Sequence, residues 1–332
     1  MTMKNITLTL IAALFLVACE SQQQNEKAMN TDNLKPGKNR ITFQSEGLTL
    51  VGDLYIPQGY EAGQSYPGLV VGGSWTTVKE QMAGLYAEKM AENGFVALAF
   101  DHANYGESEG KARFYEDPEA KKKDFINAMN YLKSLEVVAD GLTGGMGVCA
   151  SGGYMAQAVA IDDDFKSFAS VVPWFNTEAI VNAFYGGKEG ISQRIEKSRA
   201  ARATYEATGE VEYQLTISAT DPTAAMYGPF DYYLDPAIGQ VPNWSHDQFA
   251  VMNWEPWLTY RPLVAADNID VPVLIINSEQ AATPAASSEF VQRLKGEKEE
   301  VWLEGGQLEF YYKDAQVKAS VAELVKHFKK TL

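Results

Sequence analysis

Predicted β-strands alternate with amphipathic helices along most of this 332-residue chain, which predicts an α/β fold. The strands should form a doubly wound, mostly parallel sheet with helices on both faces. Several apolar runs are continuous rather than alternating, as expected for strands that are buried on both faces. The alternation lapses between residues 176 and 266. We expect this segment to form a cap inserted over the carboxyl end of the sheet, where ligands bind in such folds.

The individual elements follow from local patterns. Residues 41–57 alternate apolar and polar side chains around Gly47, which predicts a β-hairpin. Continuous apolar runs predict buried strands in "PGLVVGGS", "FVALAFD", "GGMGVC", "FKSFASVVPW", "VPVLIINS" and "EEVWLEG". Apolar residues at helical spacing predict helices in "TVKEQMAGLYAEKMAENG", "DPEAKKKDFINAMNYLKSL", "ASGGYMAQAVA", "AASSEFVQRLKG" and "VKASVAELVKHFKK".

The first 19 residues have the layout of an export signal. Lys4 precedes an apolar run from Ile6 to Val17 that is too short to span a bilayer comfortably. The run ends in "LVAC", which resembles the lipobox of bacterial lipoproteins, where the cysteine is acylated and becomes the new N-terminus. The alternative is an ordinary signal peptide that contains a cysteine. We predict a lipoprotein signal peptide over residues 1–19, with Cys19 as the lipidation site.

The polar segment that follows Cys19 predicts a flexible tether over residues 20–38, ahead of one domain over residues 39–332. Glu20, rather than an aspartate, after the cysteine favours the outer membrane of a Gram-negative cell. We therefore expect an exported protein that is lipid-anchored at the cell envelope, on the periplasmic or surface face of the outer membrane.

The composition limits the classes of partner. A formal net charge of −15 argues against nucleic acid binding and against binding to anionic membranes by charge, so the lipid anchor is the one membrane contact expected. The sequence has no metal-ligand cluster, phosphate-binding loop or dinucleotide fingerprint, and we expect no metal and no cofactor. The predicted partner is a small-molecule substrate. The sequence does not define the oligomeric state.

Cys149 is the one cysteine that remains once Cys19 carries lipid, so it has no partner for an intrachain disulfide. It is either a small buried apolar residue or a nucleophile. The motif Gly147-Val148-Cys149-Ala150-Ser151-Gly152 lies between a predicted strand and a predicted helix, which favours the nucleophile elbow, with cysteine in place of serine. Amides at the start of that helix should lower the pKa of the thiol.

Three segments, "GGSWTTVKEQ", "FDHANYGESEGKARFYEDP" and "GVCASGGY", together resemble a bacterial branch of the α/β-hydrolase superfamily. This branch is related to dienelactone hydrolases and to fungal polyketide thiohydrolases and transferases. The resemblance runs from about Ile41 to the C-terminus and implies an α/β-hydrolase fold. It also implies a Cys149 nucleophile, with an oxyanion hole formed by the backbone amides of Ala150 and of the Ser74–Trp75 loop.

The two other positions of the superfamily's catalytic triad are replaced in this chain. The acid usually follows the strand "VPVLIINS", where Ala281 stands, and Glu279 lies two residues earlier. The histidine usually follows "EEVWLEG", where Gln307 stands. Glutamine is not a general base near neutral pH. Activity therefore depends on substitutes, and Glu279 is a candidate to anchor a base, the alternative being a solvated loop residue.

His102 is the candidate to replace the missing histidine, because it follows the strand "FVALAFD" at the predicted carboxyl end of the sheet. Alternatively, it orders the loop that follows. His246 in the cap is a second candidate, whereas His327, near the end of the last helix, fits a structural role.

Trp174, Trp254 and Gln307 are candidates to contact substrate, although either tryptophan could instead form the core of the cap. Arg113 either binds a substrate carboxylate or pairs with nearby acids. These residues predict a hydrolase that acts on an ester or thioester of an apolar acyl or aromatic substrate through an acyl-enzyme. The alternatives are an acyltransferase and a catalytically impaired protein that binds a small molecule.

Overall fold

A computed structural model describes residues 34–332 of the chain. The predicted signal peptide, Cys19 and residues 20–33 of the predicted tether lie outside the described residues, so lipid anchoring and export stay predictions. The first strand begins at Gly37, inside the segment predicted as tether. The side chain of Asn39 binds the backbone of Lys35 and Gly37 there and so holds the start of the strand.

The centre of the domain is an eight-stranded sheet. Its strands are β1 (Gly37–Ser45), β2 (Leu48–Ile56), β3 (Tyr66–Gly72), β4 (Val96–Phe100), β5 (Val138–Val148), β6 (Ser167–Val171), β11 (Val273–Asn277) and β12 (Lys298–Trp302). The order across the sheet is β1-β2-β4-β3-β5-β6-β11-β12. Strand β2 runs antiparallel to both of its neighbours, β1 and β4, and all other neighbouring pairs are parallel. The predicted fold class, a mostly parallel α/β sheet, is confirmed.

Burial along the strands follows their place in the sheet. Central strands β4, β6 and β11 are buried at every residue, so their continuous apolar runs are covered on both faces. Edge strand β1 alternates buried and exposed residues along its second half, because only one of its faces meets the core. The covering helices are α1 (Met82–Glu92), α2 (Pro118–Lys133), α3 (Ala150–Val159), α8 (Pro284–Arg293), α9 (Glu309–Tyr312) and α10 (Asp314–Thr331). No helix within residues 34–332 is long and apolar enough to cross a membrane.

The segment predicted as a cap, residues 176–266, lies between β6 and β11. It contains α4 (Glu178–Phe184), α5 (Gly187–Thr208), α6 (Asp231–Leu234), α7 (Trp254–Thr259) and the two-residue strands β7 (Tyr213–Gln214), β8 (Ile217–Ser218), β9 (Met226–Tyr227) and β10 (Phe249–Ala250). The buried hydroxyl of Ser198 joins α5 to α7, because it donates to the Met252 carbonyl (2.7 Å) and accepts from the Glu255 amide (3.0 Å).

A buried carboxylate ties the loop after β3 to α2, α3 and the cap. Glu116 accepts hydrogen bonds from the Thr76 amide (3.1 Å) and the Tyr154 hydroxyl (2.7 Å), and pairs with the Lys121 ammonium at 2.8 Å. Its own amide donates to Asn253 Oδ1 in the cap at 2.8 Å. Both charged groups are almost fully buried, so each depends on the other for its charge to be tolerated.

Replacing Glu116 with glutamine keeps the shape of the side chain but leaves the Lys121 ammonium buried without its counter-ion. We expect E116Q to lower the free energy of unfolding by about 3–5 kcal/mol, measured by urea titration. The matched control is E119Q on α2, the helix that carries Lys121, because Glu119 pairs with Lys122 at the surface and its loss should cost less than about 1 kcal/mol. Equal, small effects of the two substitutions would contradict this account of the buried pair.

Candidate active site

Cys149 lies at the corner where β5 ends and α3 begins. Its backbone has φ 54° and ψ −118°, a left-handed conformation that L-residues rarely adopt. Hydrogen bonds hold both sides of this peptide: the Cys149 amide donates to the Val171 carbonyl (3.1 Å), and the Cys149 carbonyl accepts from the amides of Gly152 (2.9 Å) and Trp174 (2.8 Å). The chain thus turns sharply at the residue whose side chain it presents.

Small neighbours make this turn possible. A Cβ at Gly147 would lie 2.4 Å from the Ser151 carbonyl oxygen, and one at Gly152 would lie 2.4 Å from the Ser170 hydroxyl. Ser151 occupies a position that is usually glycine in this motif. Its side chain fits because Gly72, at the end of β3, has none: a Cβ there would lie 2.7 Å from Ser151 Oγ. The glycine at the end of β3 thereby makes room for a serine where the nucleophile-elbow motif usually has glycine.

A cavity of about 480 Å³ opens above the corner, between the sheet and the cap. It is mostly apolar and aromatic, as ligand sites commonly are. The lining residues are Ser74, Trp75, Cys149, Ala150, Trp174, Phe184, Tyr185, Arg194, Pro222, Ala224, Ala225, Met226, Tyr227, Phe230, Tyr233, Trp257, Ala282, Gln307, Leu308 and Tyr311. The Cys149 side chain therefore lies in the wall of an aromatic pocket of ligand size.

Groups around the Cys149 sulfur donate hydrogen bonds to it but do not ionise it. The backbone amides of Ala150 and Trp75 and the hydroxyls of Ser74 and Tyr311 each lower the pKa of the thiol. Burial acts in the opposite direction and is the largest effect, so the pKa lies above its ordinary value of 9.0. The prediction that the helix start lowers this pKa was wrong in its net direction, because desolvation outweighs the amides.

Both predicted oxyanion-hole segments, Ala150 and the Ser74–Trp75 loop, lie beside the thiol, but not every predicted amide points at it. Ala150 and Trp75 direct their amides at the sulfur. The Ser74 amide instead donates to Met82 Sδ at 3.3 Å, so the contribution of Ser74 comes from its hydroxyl. The oxyanion-hole role of the Ala150 and Trp75 amides stays a prediction.

Gln307 occupies the place where the resemblance puts the catalytic histidine. Its Oε1 accepts from the Ala282 amide (2.9 Å), in the loop where the triad acid usually stands. Its Nε2 donates to the Val172 carbonyl (2.9 Å) and to the Tyr311 hydroxyl (3.2 Å). The Gln307 side-chain amide therefore connects the two loops where the triad histidine and acid usually stand. Its hydrogen bonds go to protein groups and stabilise this arrangement.

The predicted substitutes for the triad lie away from the cavity, as do two of the four predicted substrate contacts. Trp254 packs behind the wall, in contact with Trp75 and Phe249, and belongs to the core of the cap. Arg113 donates to the Ser108 and Gly106 carbonyls within its own loop and does not line the cavity, and its contact with a substrate carboxylate stays a prediction. Trp174 and Gln307 do line the cavity.

Of the described residues 34–332, no histidine lines the cavity. His102 Nδ1 lies 3.1 Å from Asp124 Oδ2, between Phe100 and Phe125, and burial lowers its pKa. His246 is exposed, and His327 is buried against Ser167 with its pKa lowered to about 4 by burial. Glu279 is exposed in the loop after β11 and does not contact the cavity.

The carboxylates of Glu80, Asp101 and Glu107 form the one grouping of possible metal ligands within residues 34–332. The Lys79 ammonium lies among them, 2.7 Å from Glu80, 2.8 Å from Asp101 and 2.7 Å from Glu107. Hydrogen bonds from Arg40 and Lys79 lower the pKa of Glu107 to about 2. A lysine thus already supplies the positive charge that this cluster needs.

Tyr311 is the main site residue that the sequence prediction missed. Its hydroxyl contacts the thiol, Gln307 and Ser74, and Ser74 Oγ in turn accepts from the Tyr233 hydroxyl at 3.0 Å. Tyr311 comes four residues after Gln307, on the short helix α9 that the turn at Gln307 leads into, and this short separation could have indicated that the two meet. The hydroxyls of Tyr311, Ser74 and Tyr233 therefore form a connected chain beside the thiol.

No protein-family model matches the chain. Its fold is that of the α/β hydrolases: it superposes on the α/β hydrolase GrgF from Penicillium sp. sh18 with a TM-score of 0.75 at 19% identity, over 89% of this chain and 98% of that one. The crystal structure of PA2218 from Pseudomonas aeruginosa matches with a TM-score of 0.78 at 24% identity, over 99% of this chain and all of that one.

The sequence of that uncharacterized Pseudomonas aeruginosa protein is 31% identical over 255 residues, 73% of this chain and 67% of its own length. The chain belongs to the family of PA2218. It also matches the thiohydrolase aneE of Aspergillus aculeatus, 32% identical over 146 residues, which are 44% of this chain and 44% of the relative. The similarity to this named enzyme thus spans less than half its length.

Replacing Tyr311 with phenylalanine removes a hydrogen bond that lowers the pKa of the Cys149 thiol. We expect Y311F to move the pH profile of iodoacetamide alkylation upward by about half to one pH unit, as for a hydrogen bond of about 1 kcal/mol. The full-length chain with Cys19→Ser restricts the signal to Cys149. Y312F is the control, because Tyr312 does not line the cavity, and a profile shifted equally by both variants would contradict the assignment.

Proposed function

We propose that this protein hydrolyses an ester or thioester of an apolar acyl or aromatic substrate, with Cys149 as the nucleophile. The observation that carries the proposal is the thiol itself. It is held on a strained corner in the wall of an aromatic cavity, with the Ala150 and Trp75 amides directed at it. Strained backbone of this kind costs about 1–3 kcal/mol and persists where the fold over-determines it, commonly at active sites.

The reaction has two steps. In the first, the Cys149 sulfur bonds to the carbonyl carbon, the bond from that carbon to the leaving oxygen or sulfur breaks, and the thiol proton goes to the leaving group. The amides of Ala150 and Trp75 stabilise the negative oxygen of the tetrahedral intermediate. In the second step, water adds to the same carbon and the carbon–sulfur bond breaks, which releases the acid and restores the thiol.

Tyr311 is the group best placed to assist the first step. Its hydroxyl touches the sulfur, and burial raises its own pKa well above 10.0, so it stays protonated and acts as a hydrogen-bond donor. It can carry the proton between sulfur and leaving group by accepting one proton while giving up another. The relationship to a fungal protein named thiohydrolase supports chemistry at an acyl–sulfur bond.

No histidine lines the described cavity, and we expect this to make the second step, hydrolysis of the acyl-enzyme, slower than the first. Attack of water on an acyl-enzyme normally needs a general base, and Gln307 and the hydroxyls are not bases near neutral pH. Release of the acid should therefore be slower than acylation. We expect a burst of leaving group equal to one molecule for each active site, followed by slow turnover.

Two observations favour a second function, binding of a small molecule without turnover. The thiol pKa is raised, so little thiolate forms at neutral pH, and Gln307 uses its amide to join two loops. The pocket would then be retained as a binding site. An acyltransferase differs from both in its acceptor, because an alcohol, amine or thiol replaces water in the second step.

Release of p-nitrophenol from p-nitrophenyl esters and of thiol from matched thioesters tests the proposal on the full-length chain. We expect C149A to abolish both the burst and the slow phase. C19S should keep both, because Cys19 belongs to the predicted anchor and is not one of the described residues that line the cavity. Equal turnover by the wild type and C149A would exclude the nucleophile, and saturable binding without any burst would favour the binding function.

A further inference from the structure

Arg194 is the one charged side chain among the described residues that line the Cys149 cavity. It lies on cap helix α5, in a chain whose formal net charge is −15. Aromatic and aliphatic side chains form most of the surrounding wall. Arg194 is half-buried in this wall, so its charge is partly screened by solvent and available to a ligand in the cavity.

The guanidinium is held in a defined position. Its Nη1 donates to the Tyr185 carbonyl (3.0 Å) and the Gly190 carbonyl (3.1 Å), and its central carbon lies 5.1 Å from the centre of the Trp254 ring. A Cβ at Gly190 would lie 2.3 Å from the Tyr185 carbonyl oxygen and 3.2 Å from Nη1, so this approach requires glycine. The side chain is thus built into the pocket rather than free to leave it.

No carboxylate in residues 34–332 pairs with this guanidinium. The nearby Arg199, on the same helix, does have a partner, with Nη2 at 2.7 Å from Glu255. The backbone carbonyls occupy only Nη1 of Arg194, and the donors on Nη2 and Nε remain. A planar pair of such donors matches the two oxygens of a carboxylate or a phosphate.

Arg194 and Cys149 line the same cavity, and Tyr185 lines it with them. The Tyr185 hydroxyl also accepts from Trp257 Nε1 at 2.7 Å, which fixes this ring in the wall. A ligand that reaches from the sulfur to the guanidinium therefore passes this fixed wall.

We propose that Arg194 binds an anionic oxygen-bearing group of the substrate while its acyl carbon lies at Cys149. The anion is either a carboxylate at the far end of the acyl chain or a phosphate on a thioester leaving group. This inference rests on the proposed function for the reacting carbon, but the binding step does not require turnover. It narrows the substrate from any apolar acyl compound to one that carries a negative charge remote from the scissile bond.

Two matched substrate pairs test the kinetic consequence. Mono-p-nitrophenyl glutarate is compared with p-nitrophenyl valerate, and butyryl-coenzyme A with butyryl-N-acetylcysteamine. We expect R194Q to reduce the ratio of kcat/KM for anionic over neutral substrate by about tenfold or more in one pair, the scale of a charge-assisted hydrogen bond. R199Q should keep both ratios. A loss in the first pair identifies a carboxylate, and a loss in the second identifies a phosphate.

A binding measurement separates this inference from the proposed function. Quenching of tryptophan fluorescence reports ligands in the cavity, because Trp174 and Trp257 line it. Glutaranilic acid is compared with valeranilide, and coenzyme A with N-acetylcysteamine. Tighter binding of one anionic probe that R194Q abolishes and R199Q keeps would support the inference even if no ester were hydrolysed. Ratios of affinity and of kcat/KM that R194Q leaves within about twofold of wild type would overturn it.

Discussion

The site depends on one constraint, the left-handed backbone of Cys149 at the end of β5. That conformation directs the sulfur into the cavity and brings the Ala150 amide beside it. It is possible only because Gly147 and Gly152 leave room for the turn. The compensation of Ser151 by Gly72 shows that the constraint extends to a neighbouring strand. A strained residue of this kind is stable because close packing on all sides fixes it.

The neighbouring chemistry combines features of an enzyme and of a binding protein. Two amides and two hydroxyls surround the sulfur, as for an acyl-transfer site, while the positions of the base and its acid carry an amide bridge from Gln307 to Ala282. The bridge joins the two loops that would carry the histidine and the acid. These features are consistent with a site where acylation proceeds and release is slow.

The sequence allowed the fold, the corner and the position of Gln307 to be predicted, because each depends on local pattern: strand–helix alternation, glycine spacing and a motif after a strand. It did not allow the place of His102 to be predicted, since its side chain meets Asp124 on α2 rather than the cavity. The thiol pKa was predicted with the wrong sign because the burial of the sulfur, which raises the pKa, depends on tertiary packing and outweighs the local amides. Tyr311 and Arg194 were missed for a similar reason: their importance arises from contacts that form only when distant segments pack together.

The central claim is that Cys149 forms an acyl-enzyme that is released slowly. Intact-protein mass spectrometry of the full-length chain, quenched in acid within seconds of mixing with a p-nitrophenyl ester or a matched thioester, tests this most directly. The account predicts a mass increase of one acyl group, located by peptide mapping on Cys149. Steady turnover with an unmodified Cys149, or an acyl group on another residue, would contradict it.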